Sequence, residues 1–243
     1  MLSLLWCLEF FTISYAYVNI ALNKPAYQQY QHYNPWNNVF NARNAVDGQK
    51  SNLTWQAGQC AVSANHRQTA TWWVNLTSIH SIHHITIYFR TGNVEWNAAN
   101  DYTGRVLGFS LYVSNTTDRL HGTLCYKDDN FTRDTIPDVF TATCPVHGQY
   151  VIYYNERLPG MTYPDGYSKY AFNDFCEVEV YECDDNYFGI NCLQQCDSKC
   201  NGCNKTTGIC DKGCQPGWVG ASCQKECDPG FYGDNCTNAN FDP

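Results

Sequence analysis

Apolar and polar side chains alternate with a period of two at several places in the first part of the chain. The alternation is clearest over residues 85–89, 109–113 and 176–180, and residues 151–154 form a continuous apolar run typical of a strand buried on both faces. Clusters of Gly, Asn, Asp and Pro separate these segments. No segment carries a sustained apolar stripe with the helical period of about 3.6 residues. The pattern therefore predicts an all-β domain, either an antiparallel sandwich or a barrel.

One predicted connection, over residues 156–175, is long and contains several Tyr, Gly and Pro residues. Long loops on a β scaffold often bind ligands, because the scaffold holds them in place without constraining their sequence. We therefore expect this loop to take part in recognition.

Cysteine density changes at Cys183: residues 17–182 contain four cysteines and residues 183–243 contain ten. Three pairs of cysteines in the second region each enclose eight residues. In each pair an aromatic residue lies four places after the first cysteine and a glycine lies six places after it. The three sets are Cys183 and Cys192 with Tyr187 and Gly189, Cys214 and Cys223 with Trp218 and Gly220, and Cys227 and Cys236 with Phe231 and Gly233. About sixty residues with few aliphatic side chains bury too little apolar surface to fold unaided. Disulfides are therefore expected, with the glycine in a positive-φ turn and the aromatic side chain covering the adjoining bridge.

This spacing resembles the EGF-like repeats of the laminin type. The resemblance implies five local disulfides, the last of them closing a preceding half-repeat: Cys196–Cys203, Cys200–Cys210, Cys214–Cys223, Cys227–Cys236 and Cys183–Cys192. The pair Cys200 and Cys203 also has the spacing of half a zinc site. The other cysteines at repeat spacing and the absence of a nearby histidine in the sequence favour disulfides.

An oxidising compartment is the simplest interpretation of 15 cysteines. Residues 1–16 are mostly apolar and end with small residues at the positions that precede a cleavage site, which predicts a signal peptide containing Cys7 and leaves an even number of cysteines. A buried N-terminal strand or helix is the alternative. Five glycosylation sequons agree with secretion, and a sixth, at Asn235, has a predicted half-cystine in its middle; the five are Asn52, Asn75, Asn115, Asn130 and Asn204.

These features predict a secreted protein, or one on the extracellular side of the cell surface. No later run approaches the roughly 18 apolar residues of a spanning helix, so no membrane span is expected in this chain. The sequence stops seven residues after Cys236. Both a short soluble form and a fragment of a longer receptor with many EGF-like domains stay open.

The charge balance narrows the class of partner. Lys and Arg number 15 against 23 Asp and Glu, a formal net charge of −8. A nucleic-acid partner and a polybasic contact with a membrane surface are therefore not expected. The sequence contains no G-x-S-x-G, H-E-x-x-H or phosphate-binding glycine motif, so we predict a binding protein rather than an enzyme.

The first region also carries an ordered set of motifs: NIALNKPA at 19–26, NAVDG at 44–48, WWVNL at 72–76, IHHITIYFR at 82–90 and FCEVEVY at 175–181. They resemble the F-type lectin (fucolectin) family, a branch of the discoidin-like jelly-roll β-sandwiches with a galactose-binding-like fold. The resemblance implies a sandwich over residues 17–182, followed by EGF-like repeats over residues 183–243. It also implies the disulfides Cys60–Cys176 and Cys125–Cys144. The layout is similar to invertebrate scavenger-receptor-like proteins with multiple EGF-like domains.

The lectin family binds fucose through one histidine and two arginines. Arg90 matches the first arginine and Arg105 the second, while Val62 stands at the position of the histidine, for which His66 is the candidate substitute. The family's Arg-x-Asp motif is RTGN at 90–93, and Trp96 lies where an adjacent disulfide is usual. Guanidinium groups offer a rigid fork of donors for vicinal hydroxyls.

The resemblance therefore implies a carbohydrate site of Arg90, Arg105, His66 and Trp96, with Tyr163 and Tyr167 as further candidates. The expected partners are glycans on microbial or cell surfaces, with fucosylated ones among them. Two alternatives stay open: arginines that pair with carboxylates and bind no sugar, and a non-lectin adhesion module for protein or phospholipid.

The family also holds a structural Ca²⁺ with oxygen ligands, the type that this hard cation prefers. The matching positions are Asn44, Asp47, Gln49, Cys176 and Glu177, and Gln59 stands where a serine is usual. The alternative is that Asp47 only caps the Asp-Gly turn. Three histidines nearby in sequence, at 80, 83 and 84, form no predicted metal site, because adjacent residues of a strand, such as His83 and His84, point to opposite faces.

Overall fold

The computed structural model describes residues 17–34, 39–189 and 192–239, so the predicted signal peptide lies outside the described residues. Strands make up most of the regular structure. They are β1 (Tyr17–Asn19), β2 (Ala26–Gln28), β3 (Ala61–Val62), β4 (Thr69–Phe89), β5 (Ser110–Ser114), β6 (Thr123–Lys127), β7 (Val139–Glu156), β8 (Asp174–Cys183), β9 (Tyr187–Phe188), β10 (Gln194–Gln195), β11 (Trp218–Val219), β12 (Lys225–Glu226), β13 (Phe231–Tyr232) and β14 (Asn238–Ala239).

Helices within the described residues are short. One α-helical turn, α1, spans Thr103–Val106, and the 3-10 turns span Ala42–Val46, Trp55–Ala57, Arg119–His121 and Asp234–Cys236. None of these helices is long and apolar enough to cross a membrane.

Two long strands connect the layers of an antiparallel β-sandwich. The first half of β4 pairs with β2 and with the second half of β7, which also pairs with β5. The second half of β4 pairs with β8 and with the first half of β7. Register shifts between Asn75 and His80 interrupt the β4–β7 ladder where the pairing partners change. The predicted all-β sandwich is therefore confirmed.

The alternating pattern follows burial. On β4, Trp72, Val74 and Leu76 are buried while the residues between them are partly exposed, as a period of two requires. Phe109 begins the β5 region and lies in the core, with its ring 5.1 Å from that of Phe140 and 5.6 Å from that of Tyr153. Each such side chain contributes about 1.5–3 kcal/mol through the apolar area that it removes from water.

One detail of β4 differs from the sequence prediction. A register shift between Ile82 and His84 brings the Nδ1 atoms of His83 and His84 to 2.8 Å, so the prediction that these rings point to opposite faces is wrong. A bulge locally breaks the alternation on which that prediction relied. Burial, followed by the neighbouring His83, lowers the pKa of His84 to about 4.

Seven disulfides join the described cysteines, in the pairs that the two resemblances implied: Cys60–Cys176, Cys125–Cys144, Cys183–Cys192, Cys196–Cys203, Cys200–Cys210, Cys214–Cys223 and Cys227–Cys236. The sulfur atoms of Cys200, Cys210 and Cys223 lie within 4.8 Å of one another, but they belong to disulfides rather than to thiolates that could bind zinc.

Five of these bridges lie in the C-terminal region, which also contains three short two-stranded ladders. Its core is a cluster of half-cystines against which Phe188 and Trp218 pack. Trp218 thus covers the half-cystines as expected, whereas Phe188 packs there in place of the neighbouring Tyr187. Phe231 is 52% exposed and does not belong to this cluster, so the expected cover is wrong for the third unit. Three glycines have φ between 80° and 103°, as predicted from their spacing: Gly189, Gly220 and Gly233.

Candidate functional site

A pocket of about 190 Å³ opens where β4 ends. Several separate segments of the chain build it: Arg90 follows β4, Arg105 lies on α1, Val62 ends β3 and Trp55 begins a 3-10 turn. His32 and Phe40 come from the chain between β2 and the turn Ala42–Val46. We refer to it as the Arg90–Arg105 pocket; its lining residues are His32, Phe40, Trp55, Val62, Asn65, Arg90, Tyr102 and Arg105.

Asp174, the first residue of β8, organises the two arginines. Its Oδ2 atom accepts hydrogen bonds from Arg90 Nη2 at 2.8 Å and from Arg105 Nη1 at 3.0 Å. The carboxylate is fully buried and the Arg90 side chain is 5% exposed, whereas that of Arg105 is 28% exposed. One carboxylate faces two guanidinium groups, so the pocket carries a net positive charge and its more accessible donors belong to Arg105.

Stacking fixes the planes of both guanidinium groups. The Arg90 guanidinium lies 4.0 Å from the centre of the Tyr102 ring, and that of Arg105 lies 5.1 Å from the same ring and 4.7 Å from that of Phe172. Such contacts orient a cation without using its hydrogen-bond donors. The arginines are therefore held in place before any ligand arrives.

Buried polar atoms remain unpaired at this cluster. Within the described residues, neither Arg90 Nε nor Asp174 Oδ1 has a hydrogen-bond partner. An unsatisfied buried polar group costs about 1–3 kcal/mol and therefore needs an explanation. A polar ligand or a water molecule in the pocket would supply it.

The imidazole that lines the pocket belongs to His32 rather than to His66. The His32 ring meets Phe40 edge-on at 5.0 Å, and its backbone N–H donates to the carbonyl of Val62 at 2.9 Å. His66 instead has φ of 62° and is exposed, and its ring packs edge-on against Tyr170 at 4.7 Å. Its neighbour Asn65 is the residue of this segment that lines the pocket.

Trp96 lies against the core of the sandwich. Its ring is parallel to that of Phe89 at 6.2 Å, and its Nε1–H donates to the carbonyl of Ile136 at 2.7 Å. Tyr163 and Tyr167 line a different pocket. Of the sequence candidates for sugar binding, the structure thus brings together Arg90 and Arg105.

The motif at 90–93 braces the rim of the pocket. Gly92 N–H donates to the carbonyl of Leu53 at 3.0 Å, and Asn93 Oδ1 accepts from Leu53 N–H at 2.9 Å. Asn93 Nδ2 also donates to Asn52 Oδ1 at 2.9 Å. These bonds hold the segment that carries the half-exposed Trp55 beside the end of β4.

A second group of oxygen atoms surrounds the Asp-Gly turn. Gly48 N–H lies 3.2 Å from both carboxylate oxygens of Glu177, which is fully buried. Asp47 Oδ1 accepts from Gln49 N–H at 2.9 Å. Lys50, the nearest lysine in sequence, pairs with Glu179, and within the described residues no Lys or Arg forms an ion pair with Glu177.

Burial dominates the electrostatics of this turn. It raises the pKa of Glu177 to about 8, and the neighbouring Asp47 carboxylate adds to the rise. Burial also raises the pKa of Asp47. A buried carboxylate beside a partly exposed one, with no ion pair from a described Lys or Arg to Glu177, fits a hard divalent cation such as Ca²⁺.

Of the other predicted calcium ligands, two are neighbours of these carboxylates in sequence and two form hydrogen bonds to other segments. Gln49 lies on the same turn as Asp47, and Cys176 precedes Glu177. The side chain of Asn44 donates to the carbonyls of Val39 at 2.7 Å and Cys60 at 3.1 Å. Gln59 Oε1 accepts from Asn52 N–H at 2.8 Å, so this side chain braces the neighbouring loop.

No protein-family model matches the sequence, and no curated protein sequence matches it. Among solved structures, a serum fucolectin from striped bass (Morone saxatilis) superposes with a TM-score of 0.50 at 19% identity, over 68% of this chain and 47% of that one. A fucose binding module of Streptococcus pneumoniae has a TM-score of 0.48 at 20% identity, over 68% and 97% of the two chains. The family 32 CBM of C. perfringens NanJ, solved in complex with galactose, has a TM-score of 0.44 at 16% identity, over 68% and 99%.

At this level of identity the likeness is one of fold. The class that it defines is the antiparallel β-sandwich of the lectin and galactose-binding-like type, here followed by a disulfide-rich region. The matched part covers less than half of the fucolectin chain.

Proposed function

We propose that this protein is an extracellular glycan-binding protein whose ligand enters the Arg90–Arg105 pocket. The single observation that carries the proposal is the pair of guanidinium groups fixed around the buried Asp174 at the end of a lectin-type sandwich. The F-type lectin resemblance and the similar solved structures, described as fucolectin, fucose-binding and galactose-bound proteins, support a saccharide ligand and make fucosylated glycans the first candidates.

Each pocket residue has a part in this proposal. Arg105 and Arg90 donate hydrogen bonds to ring hydroxyls, and the His32 imidazole adds a further polar contact. Phe40 and Val62 pack against the C–H face of the sugar, and Trp55 closes the rim. This division of donors and apolar surface is what a sugar with adjacent hydroxyls requires.

Replacing Arg105 by Ala should weaken saccharide binding about tenfold to a hundredfold, because a charge-assisted hydrogen bond contributes about 1.5–3 kcal/mol. Arg105 is a cleaner test than Arg90, since the buried Arg90–Asp174 pair stays intact. A glycan array, followed by calorimetry on the strongest ligand with Ca²⁺ present, measures the effect.

Arg43→Ala is the matched control, because Arg43 is exposed and lies outside the pocket. Equal affinity for Arg105→Ala and the unchanged protein would contradict the proposal. Binding to cells that neither Arg105→Ala nor competing fucose reduces would instead favour a non-lectin adhesion module for protein or phospholipid.

We further propose that Asp47 and Glu177 hold a Ca²⁺ ion together with oxygen atoms of Asn44, Gln49 and Cys176. The proposal rests on the buried Glu177 carboxylate, with which no Lys or Arg in the described part of the chain forms an ion pair. Bound Ca²⁺ would supply positive charge at the Asp-Gly turn and so stabilise the junction between this turn and β8.

Calcium should stabilise the protein, by about 2.7 kcal/mol when its concentration is a hundredfold above the Kd. The effect should be large at pH 8 and small at pH 5, because the pKa of Glu177, raised to about 8, keeps the proton on the calcium-free carboxyl in acid. Without calcium, stability should fall as the pH rises from 4.5 towards 8, since the folded state binds this proton more tightly than the unfolded state. Thermal unfolding with Ca²⁺ or EDTA measures both effects.

Glu177→Gln should abolish the calcium effect and raise stability in EDTA at pH 8, because it removes a buried charge. Glu95→Gln, at an exposed position, should change neither. A calcium-dependent rise in Tm that survives Glu177→Gln would contradict the proposed ligand set.

We propose that the disulfide-rich region acts as a stalk that presents the sandwich outside the cell. Its support is the density of disulfides, which persist in oxidising compartments, and the repeat spacing that resembles EGF-like modules. A scavenger-receptor-like role on microbial or host surfaces is consistent with that layout.

A further inference from the structure

A second and larger pocket, of about 510 Å³, lies in the long loop between β7 and β8. Tyrosine rings form its walls, and we refer to it as the tyrosine pocket (Tyr163, Tyr167 and Tyr170). Gln68, Asp165 and Lys169 provide polar groups at the same lining. The sequence pointed to this loop as a binding loop, and the Arg90–Arg105 pocket does not use it.

Arg157 makes the tyrosine pocket rigid. Its Nε donates to the carbonyl of Ser168 at 2.9 Å. Its Nη1 donates to Asn155 Oδ1 at 2.8 Å and to the Glu156 carbonyl at 2.6 Å. Its Nη2 donates to the carbonyls of Leu107 at 2.9 Å and Gly104 at 3.5 Å. All five N–H donors of Arg157 are thus used within the protein, although its side chain also lines the pocket. Arg157 acts as a brace and is not a group for a ligand.

Contacts with the Arg157 guanidinium hold the rings of Tyr163 and Tyr167 in position. The Arg157 guanidinium lies 5.2 Å from the Tyr163 ring and 4.7 Å from the Tyr167 ring, and the two rings stack at 6.0 Å with 26° between their planes. Tyr163 OH also accepts from Leu158 N–H at 2.9 Å. Aromatic faces fixed in this way can receive the C–H face of a sugar without a further entropy cost for ordering the loop.

One short segment of the chain, residues 65–68, connects the linings of the two pockets. Asn65 lines the first pocket and Gln68 the second, and three residues of chain span at most about 11 Å. His66 lies in this segment, between Asn65 and Gln68, and the centre of its ring is 4.7 Å from that of Tyr170. Ala171 N–H donates to the carbonyl of Arg67 at 2.9 Å, which fixes the loop to the same segment.

The helical turn that carries Arg105 also touches this loop. Ser168 N–H donates to the carbonyl of Gly104 at 2.8 Å. A Cβ atom at Gly104 would lie 2.5 Å from the carbonyl oxygen of Gly166, so only glycine permits this close approach. The tyrosine pocket is therefore set in position relative to Arg105 by direct backbone contacts.

We propose that the tyrosine pocket is a second subsite for the same glycan, so that the ligand is an oligosaccharide rather than a single sugar. This inference rests on the proposed function. The terminal residue occupies the Arg90–Arg105 pocket, the chain passes over Asn65 and His66, and a following residue stacks on Tyr170 and Tyr163. Gln68, Asp165 and Lys169 then bond its hydroxyls. The mixture of aromatic faces with amide, carboxylate and amine groups suits a sugar better than an acyl chain.

The test compares one sugar with a longer ligand on the full chain. Calorimetry with Ca²⁺ present measures binding of fucose and of a fucosylated oligosaccharide, the Lewis b antigen, to the unchanged protein, to Tyr170→Ala and to the control Tyr27→Ala. We expect Tyr170→Ala to weaken oligosaccharide binding by up to about tenfold while fucose affinity stays unchanged, since stacking is worth about 0.5–1.5 kcal/mol. Tyr27→Ala removes a tyrosine elsewhere that is more exposed than Tyr170, and it should change neither affinity.

Two results would overturn the inference. Equal losses for fucose and oligosaccharide in Tyr170→Ala would mean that the loop only supports the first pocket, and equal affinities of Tyr170→Ala and the unchanged protein for the oligosaccharide would mean that the tyrosine pocket is unused. Failure of the unchanged protein to bind either saccharide would instead remove the proposed function, and the second subsite with it. Binding of phosphatidylserine vesicles that Tyr170→Ala abolishes would assign the pocket to lipid and overturn the proposal.

Discussion

Replacing Asp174 by Asn should abolish saccharide binding and lower the free energy of unfolding by roughly 3–5 kcal/mol, the cost of breaking a buried ion pair on one side. The substitution keeps the size of the side chain. It leaves the buried Arg90 guanidinium without its counter-charge and releases Arg105 from the geometry that the shared carboxylate imposes. Chemical denaturation measures the stability loss, and calorimetry measures the binding loss.

Asp134→Asn is the control for this experiment, because Asp134 is exposed and its replacement should change stability by less than about 0.5 kcal/mol. If Asp174→Asn folds with unchanged stability, the buried cluster does not hold the arginines as described. If it loses stability but binds saccharide normally, the arginines are structural and the proposed ligand site is wrong.

Removing the Cys60–Cys176 disulfide by a double substitution to Ala should cost about 5 kcal/mol, and loss of the fold at physiological temperature is the expected outcome. The two cysteines are 116 residues apart in sequence, and the stabilisation that a disulfide provides by restricting the unfolded chain grows with the length of the closed loop. Both half-cystines are buried beside Phe40 and Val62, so the wall of the Arg90–Arg105 pocket should loosen as well. Thermal unfolding measures the first effect and calorimetry the second.

The Cys125–Cys144 disulfide provides an internal comparison. It spans 19 residues, so its removal should cost about 3 kcal/mol. It should leave saccharide affinity unchanged, because neither cysteine lines the pocket. A larger loss of stability from this pair than from Cys60–Cys176 would show that loop length does not govern the difference.

The sandwich was predictable because its strands carry their own burial pattern. Residues 85–89, 109–113, 151–154 and 176–180 fall largely or wholly within β4, β5, β7 and β8, where alternation records which side chains face the core. The disulfide pairs were available only through the resemblances, since spacing alone leaves many connectivities open. The bulge beside His83 was not predicted, because the sequence prediction assumed that side chains alternate without interruption along this strand.

The pocket was only half predictable. Arg90 and Arg105 could be found because the motif that ends β4 anchors their positions. His32 could not be found in this way. An isolated β-bridge between Gln31 and Ser63 places it at the pocket, and no local sequence pattern predicts that bridge. His66 faces away because its backbone adopts a positive φ, a property that is set by its surroundings and not by its residue type.

Strand β8 connects the Arg90–Arg105 pocket with the disulfide-rich C-terminal region. It begins at Asp174 below the arginines and ends at Cys183, the first half-cystine of the C-terminal region, about 30 Å away along the strand. Antiparallel hydrogen bonds to β1 and β4 run perpendicular to it. A pull on the C-terminal modules therefore loads all these bonds together in shear, and the bridge at Cys176 passes the force to Cys60 before it reaches Asp174. If the proposed function holds, this load sharing would keep the Arg90–Arg105 pocket in place while the C-terminal region is stretched.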